Sequence, residues 1–329
     1  MRMTKKLLIW IIASVIMLGP LTLSVYADKV EIESVFTYGE TLDNNQFEQT
    51  KRMLGVEEGT KEVPVYVNEL NDLLNDTYPY NQVYSSAYIT PARNDGQITV
   101  EILTPDTITS ITPLQYQNAA ITAGAIDINI AVASAVKVDG SGALAGVYKA
   151  FQDQGIALND QAITVAQEEL QVVSDINNQH QDSAGYDPEL LNGAITEIKN
   201  EIQTLKEENN GSITADQINS ITNTVINNYN LQNILTEENI NNIYQLSGQF
   251  NQLNFTAEQR QQLQNLGDQI LSDGGDLFKE AKTNLENLDI SLSLDEETKN
   301  WFQSTWDSIT TSVSDFFAGI KEWFENLSK

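Results

Sequence analysis

The segment from Thr112 to Phe151, TPLQYQNAAITAGAIDINIAVASAVKVDGSGALAGVYKAF, constrains this chain more than any other. Thr112-Pro113 is a helix start: a hydroxyl cap followed by proline at the first helical position. Small and apolar residues follow at helical spacing, and Gly124 stands where a left-handed C-cap belongs. Ile126, Ile128, Ile130 and Val132 then alternate with Asp127, Asn129 and Ala131, the period-2 pattern of a β-branched strand. Gly140-Ser141-Gly142 turns the chain. A second helix runs from Ala143 to Gln154 and closes at Gly155. Gly142 and Gly146 lie four apart on one face of it, which lets the helix approach a sheet closely.

This run, from YQNAAITAGAIDINIAVASAVKVDGSGALAGVYKAF with SSAYI upstream and AQEEL downstream, resembles the YpuA-like family of secreted proteins from Gram-positive bacteria. The similarity extends from about Val35 to Ile202, and the helical tail has a compatible pattern. The resemblance implies an exported protein. It brings no activity and no catalytic residues with it.

The 329 residues are enough for two modest domains and a sizeable core. The absence of cysteine removes disulfides, a lipobox anchor, thiol nucleophiles and Cys-ligated zinc. A single histidine, His180, removes His-rich metal sites within one chain. Met1 to Lys6 is a basic n-region, Leu7 to Leu18 an apolar h-region, and Val25-Tyr26-Ala27 a signal-peptidase pattern. Cleavage after Ala27 is expected, and the rival is an uncleaved membrane anchor, for which the apolar run is short. Cleavage removes Arg2, Lys5 and Lys6 and takes the net charge from −28 to −31. Such a surface repels phosphate backbones, so nucleic acid is not an expected partner, and anionic wall polymers and lipid headgroups are disfavoured too.

Val30 to Tyr38 and Val63 to Val67 read as strands, with a helix from the Asp43 cap to Leu54 between them and a short one from Asn68. Gln82 to Ile89 and Gln97 to Leu103 read as a hairpin whose connection carries Pro91, Asn94 and Gly96. Beyond Asp160 the chain is helical, with amphipathic runs at Ala162 to Ile176 and Pro188 to Leu205. Ile213-Thr214-Ala215-Asp216-Gln217, Leu235-Thr236-Glu237-Glu238-Asn239 and Phe255-Thr256-Ala257-Glu258-Gln259 repeat one pattern. Each is a helix start: threonine caps, the amide three later reaches back, and the preceding apolar residue staples the entry. The chain between folds as short helical hairpins that must stack to bury their stripes. A last capping box at Ser293 to Glu296 opens a helix with a heptad seam: Phe302, Trp306, Ile309, Val313, Phe316, Ile320, Trp323 and Leu327. That seam needs a partner, either the chain's own helices, a second copy, or weakly a membrane surface.

Few constellations point to chemistry. Ser134-Ala135-Val136-Lys137 matches a Ser-x-x-Lys pattern, but it reads as a continuation of the strand, where Ser and Lys face opposite ways. Lys206 to Gln217 outlines a calcium loop with the wrong residues at positions one and twelve. Gly140, Ser141 and Gly142 form a candidate anion-cradling helix start, against a plain tight turn. Tyr84, Ser86 and Tyr88 form a candidate strand face for stacking on sugar rings, against ordinary cross-strand packing. His180, in NNQHQDSAG, reads as an exposed loop residue. Glu168-Glu169 and Glu237-Glu238 diverge by about 100° around their helices, so neither pair faces one substrate. A glycosidase-type pair drawn from distant positions stays open.

The sequence therefore predicts an α+β protein. Residues 1–27 are a signal peptide, 28–158 a mixed sheet-and-helix domain, 159–292 a helical hairpin region and 293–329 an amphipathic C-terminal helix. The expected function is a secreted or envelope-associated, non-enzymatic binding or assembly role without cofactors, its partner an envelope protein or a glycan. The alternative is an extracellular hydrolase using distant carboxylates.

Overall fold

In the computed structural model, residues 32–74, 79–93, 96–155, 158–211, 213–273 and 275–278 are described. The expected signal peptide and the C-terminal seam from Phe302 to Leu327 lie outside them. The expected α+β class is found: a five-stranded mixed sheet with helices, followed by a helical region.

The strands are β1 (Val35–Gly39), β2 (Lys61–Val65), β3 (Ser86–Pro91), β4 (Ile98–Ile102) and β5 (Ile128–Ala133). They lie in the order β2-β1-β3-β5-β4. The outer pairs β1–β2 and β4–β5 are parallel, while β3 runs antiparallel to β1 and β5. The expected hairpin of β3 with β4 does not form, because β5 lies between them. The reason is burial. Ile128, Ile130 and Val132 are 0–1% exposed, so β5 takes an inner place with a neighbour on each side, while β4, whose Thr99 and Glu101 are exposed, takes the edge. Two boundaries also shift: the segment from Gln82 joins the sheet only at Ser86, and Val67 opens a helix instead of closing β2.

The helices are α1 (Asn44–Met53), α2 (Val67–Leu74), α3 (Pro113–Ala123), α4 (Ser141–Asp153), α5 (Asp160–His180), α6 (Pro188–Glu208), α7 (Ala215–Asn228), α8 (Glu237–Asn251) and α9 (Ala257–Asp273). One sheet face, with Phe36, Tyr88 and Ala133, packs with Phe47 and Met53 of α1. The other carries Val35, Val63, Ala87, Ile89, Ile128, Ile130 and Val132 into the main core, shared with α3, α4 and the bundle α5–α9. That core runs without interruption across the boundary expected near residue 158.

α3 is the centre of the molecule. From Leu114 to Ala123 only Gln117 is not buried, so the helix is enclosed on every side. Thr112 forms a capping box with Gln115, Pro113 occupies the first turn, and Gly124 closes the helix at φ 96°. Every one of the three repeated threonine motifs closes as a reciprocal box: Thr214 with Gln217, Thr236 with Asn239 and Thr256 with Gln259. Each cap contributes about 1 kcal/mol. α9 ties the bundle to the sheet through amides. Gln262 accepts from Asp127 N–H at 3.0 Å and donates to Ala125 O at 2.7 Å, and Asn265 donates to Gly96 O at 2.9 Å.

α4 lies on β1, β2 and β3 through its two glycines. A Cβ at Gly146 would stand 2.3 Å from Thr37 Oγ1 and 3.0 Å from its Cβ, so only glycine fits without movement. Alanine there gains about 1 kcal/mol of helix propensity and loses more to overpacking against a buried strand. Gly146→Ala is expected to lower the unfolding free energy by about 1–2 kcal/mol, read from the shift in urea midpoint.

Candidate functional site

A cleft at the start of α4 brings together polar side chains from two distant segments. β5 ends at Ala133, and Ser134 bends the chain by donating its hydroxyl to Val136 O at 2.7 Å. The chain then extends past Lys137, with Val138 bridged in parallel to Ile108, before Gly140 turns it at φ 110° into α4. Lys137, Val138 and Asp139 of this extended stretch all line the cleft.

The opposite wall is the segment before β3. Asn71 of α2 clamps Tyr80, donating to its carbonyl at 2.7 Å and accepting its N–H at 2.5 Å. Thr41 holds Val83 N–H at 2.9 Å. Between these walls lies a space of about 350 Å³ lined by Tyr80, Asn81, Gln82, Tyr84, Ser85, Lys137, Asp139 and Gly142. The Tyr80 hydroxyl donates to Asp139 Oδ2 at 2.7 Å, and Asp139 Oδ1 accepts Ser141 N–H at 3.0 Å. Two of the carboxylate's acceptor positions are thus used and two remain. Lys137 is exposed at the rim and forms no ion pair or hydrogen bond with any described residue.

Of the residues singled out in the sequence, Gly142 and Tyr84 line this cleft, while Gly140 and Ser141 are buried at the helix start and do not line it. Asp139 already supplies the anion at that helix end. Gly142 is needed for close packing, since a Cβ there would meet Val83 Cγ2 at 2.4 Å. Ser86 and Tyr88 are not in the cleft: both are buried, Tyr88 against Phe36 and Leu54. Tyr84 precedes the strand, so the three residues expected on one open strand face do not form it. Lys137, Asp139, Tyr80 and Ser85 were missed as a group, because no local spacing joins residues about 55 apart.

Other expectations are corrected. Ser134 to Lys137 is a bend rather than a strand. Lys206 of the calcium-like loop caps the end of α8, donating to Asn251 O at 2.6 Å and Leu253 O at 2.8 Å. His180 is not an exposed loop residue. It ends α5, is 8% exposed, and its Nε2 lies 2.8 Å from Asn239 Oδ1, with the Tyr186 ring beside it. Among the described residues no group of three or more His, Asp or Glu is placed to hold a metal ion.

The interior holds a second polar group. Glu169 and Lys199 pair at 2.8 Å with side chains 3% and 4% exposed. The Thr122 hydroxyl lies 2.6 Å from Glu169 Oε2 and 3.1 Å from Lys199 Nζ. Burial pulls the Lys199 ammonium below the ordinary lysine range, and Glu169 partly offsets this. The group is sealed from solvent. It joins α3, α5 and α6 and offers no route to a substrate. Glu168 does diverge from Glu169, as its spacing on the helix dictates, and burial raises its carboxyl.

This geometry defines a mixed α+β protein with a helical bundle and a small cleft of mixed polar and apolar lining. Residues 38–266 match the family described as "Protein of unknown function (DUF1002)", and the chain belongs to that family. It is similar to the uncharacterized protein YpuA of Bacillus subtilis (strain 168), 26% identical over 179 residues. The match covers 53% of this chain and 61% of that relative. No solved structure matches. Among the described residues no helix is long and apolar enough to cross a membrane.

Removing one member of the buried pair strands the other charge, which costs about 3–5 kcal/mol. Lys199→Met is therefore expected to lower stability by that amount in chemical denaturation. Lys199→Met with Glu169→Gln is expected to recover a large part of it.

Carboxyl groups set a pH dependence of the opposite sense from common acid denaturation. Glu197 is pushed up to about 7, first by burial and then by Glu201 and Asp268. Burial also raises Asp160, Glu168, Glu189 and Glu201. A carboxyl whose folded pKa exceeds its unfolded value contributes stability below the unfolded pKa, and that contribution is lost as pH rises through the folded one. The melting temperature is therefore expected to rise as pH falls from about 7.5 towards 5. Glu197→Gln is expected to flatten this slope, by on the order of 2 kcal/mol across the window.

Proposed function

We propose that this is a secreted or envelope-associated binding protein without catalytic activity, and that it takes a glycan segment into the cleft at the start of α4. Export rests on the n-, h- and c-region pattern ending at Ala27. The observation that carries the binding role is the mixed lining: two tyrosines, a serine, two amides, one carboxylate and one lysine beside the apolar Leu70, Pro79, Val83 and Val138, around about 350 Å³. Aromatic faces with hydroxyl, amide and carboxylate groups suit a sugar ring, which offers an apolar face and a rim of hydroxyls. The rigid clamps on Tyr80 and Val83 leave this surface preformed, which limits the ordering cost of binding.

The hydrolase alternative gains less support. Glycosidase chemistry needs two carboxyl groups flanking one bond. Asp139 is the single carboxylate among the lining residues, and it is held by Tyr80 and Ser141.

Ligand-observed NMR and titration calorimetry with the mature protein and soluble cell-wall glycan fragments test this reading. Binding is expected with the fragments recovered intact. Tyr84→Ala is expected to weaken it about tenfold, the loss of roughly 1.4 kcal/mol. Cleaved fragments would establish the hydrolase instead, and unchanged binding in Tyr84→Ala would place the ligand elsewhere.

A further inference from the structure

The cleft carries a charge pattern that narrows its ligand beyond "glycan", an inference resting on the reading above. The chain has 46 acidic and 18 basic residues, so almost any lysine has a carboxylate within reach. The structure bears this out: Lys51, Lys61, Lys149 and Lys199 all form ion pairs, and Lys206 binds two carbonyl oxygens. Lys137 has no such partner among the described residues. It stands two residues from Asp139 along an extended segment, yet the two do not pair. Alternate residues of an extended chain are separated by roughly 6.5 Å.

We infer that the cleft recognises a zwitterionic amino sugar, its acidic group on Lys137 and its ammonium on the open positions of Asp139. A purely anionic ligand would meet the field of a protein carrying −28, and a purely cationic one would leave Lys137 unmatched. A ligand of zero net charge avoids the long-range repulsion and uses both local charges. Asp139 remains able to accept, because Tyr80 and Ser141 occupy one position on each of its oxygens. Tyr84 remains to meet the ring, while the Ser85 hydroxyl, 2% exposed, already donates to Gly140 O at 3.4 Å.

Four monosaccharides separate the contributions: N-acetylglucosamine with neither charge, glucosamine with the amine, N-acetylmuramic acid with the carboxylate, and muramic acid with both. Titrated below neutral pH against the mature protein, muramic acid is expected to bind at least tenfold more tightly than each of the others. In Lys137→Gln muramic acid is expected to lose its advantage over glucosamine, the two then binding within about threefold of each other, and Lys137→Arg is expected to restore the preference. Lys137 is exposed, so these variants keep the fold, which the melting temperature verifies. Equal binding of all four sugars, or a preference for the acid alone, would overturn the zwitterion while leaving the glycan reading intact. Preference unaffected by Lys137→Gln would remove the lysine's role. If no sugar and no larger fragment binds, the glycan reading itself fails.

Discussion

The enclosure of α3 is the constraint on which the rest of the structure depends. A helix buried on every side cannot lie on a surface, so it needs the sheet on one flank and a second layer of helices on the other. Its apolar residues serve both flanks, but Gln115, Asn118 and Thr122 are polar and buried. Buried amides and hydroxyls must find partners. They find them on α5 and α6: Gln115 with Ser174 and Asn177, Asn118 with Thr196 and Asn192, and Thr122 with Glu169 and Lys199. The polar side of one helix thus fixes how two others pack against it. A purely apolar α3 would leave that packing free to slide.

The bundle beyond is held by local devices repeated many times. Threonine boxes start α7, α8 and α9, and Lys206 closes α8. Amides from α9 reach the turn after α3 and tie the last described long helix to it. The abundance of Asn and Gln in this half of the chain therefore has a structural use besides solvation. Net charge pulls the other way. The acidic surplus pushes carboxylates such as Glu197 and Glu201 against each other, so the fold carries a repulsion that partial protonation relieves.

The cleft follows from the same architecture. α4 approaches the sheet closely because Gly142 and Gly146 remove the side chains that would hold it away. Its entry loop, from Ser134 to Gly140, is then brought against the segment from Tyr80 to Ser85. Tyr80 with Asp139 and Ser85 with Gly140 join the two walls by hydrogen bonds, and Asp139 also accepts the Ser141 N–H at the start of α4. Lys137 forms no ion pair or hydrogen bond with any described residue, which is why its placement bears on a ligand.

Local sequence determined the local structure. The Thr112-Pro113 start, the Gly124 stop, the threonine boxes, the alternation in β5 and the four-residue spacing of Gly142 and Gly146 were all legible. Each depends on interactions within a turn or two of chain, so a short window contains both partners. Tertiary structure alone decided the insertion of β5 between β3 and β4, the burial of His180 against Asn239, and the Glu169–Lys199 pair. It also decided which of the candidate residues share the cleft: Tyr84 and Gly142 do, Ser86 and Tyr88 do not. These outcomes depend on competition for burial among segments tens of residues apart. β5 takes an inner place and β4 the edge because β5 buries more of its residues than β4 does, and a comparison of that kind exists only once the whole chain is folded.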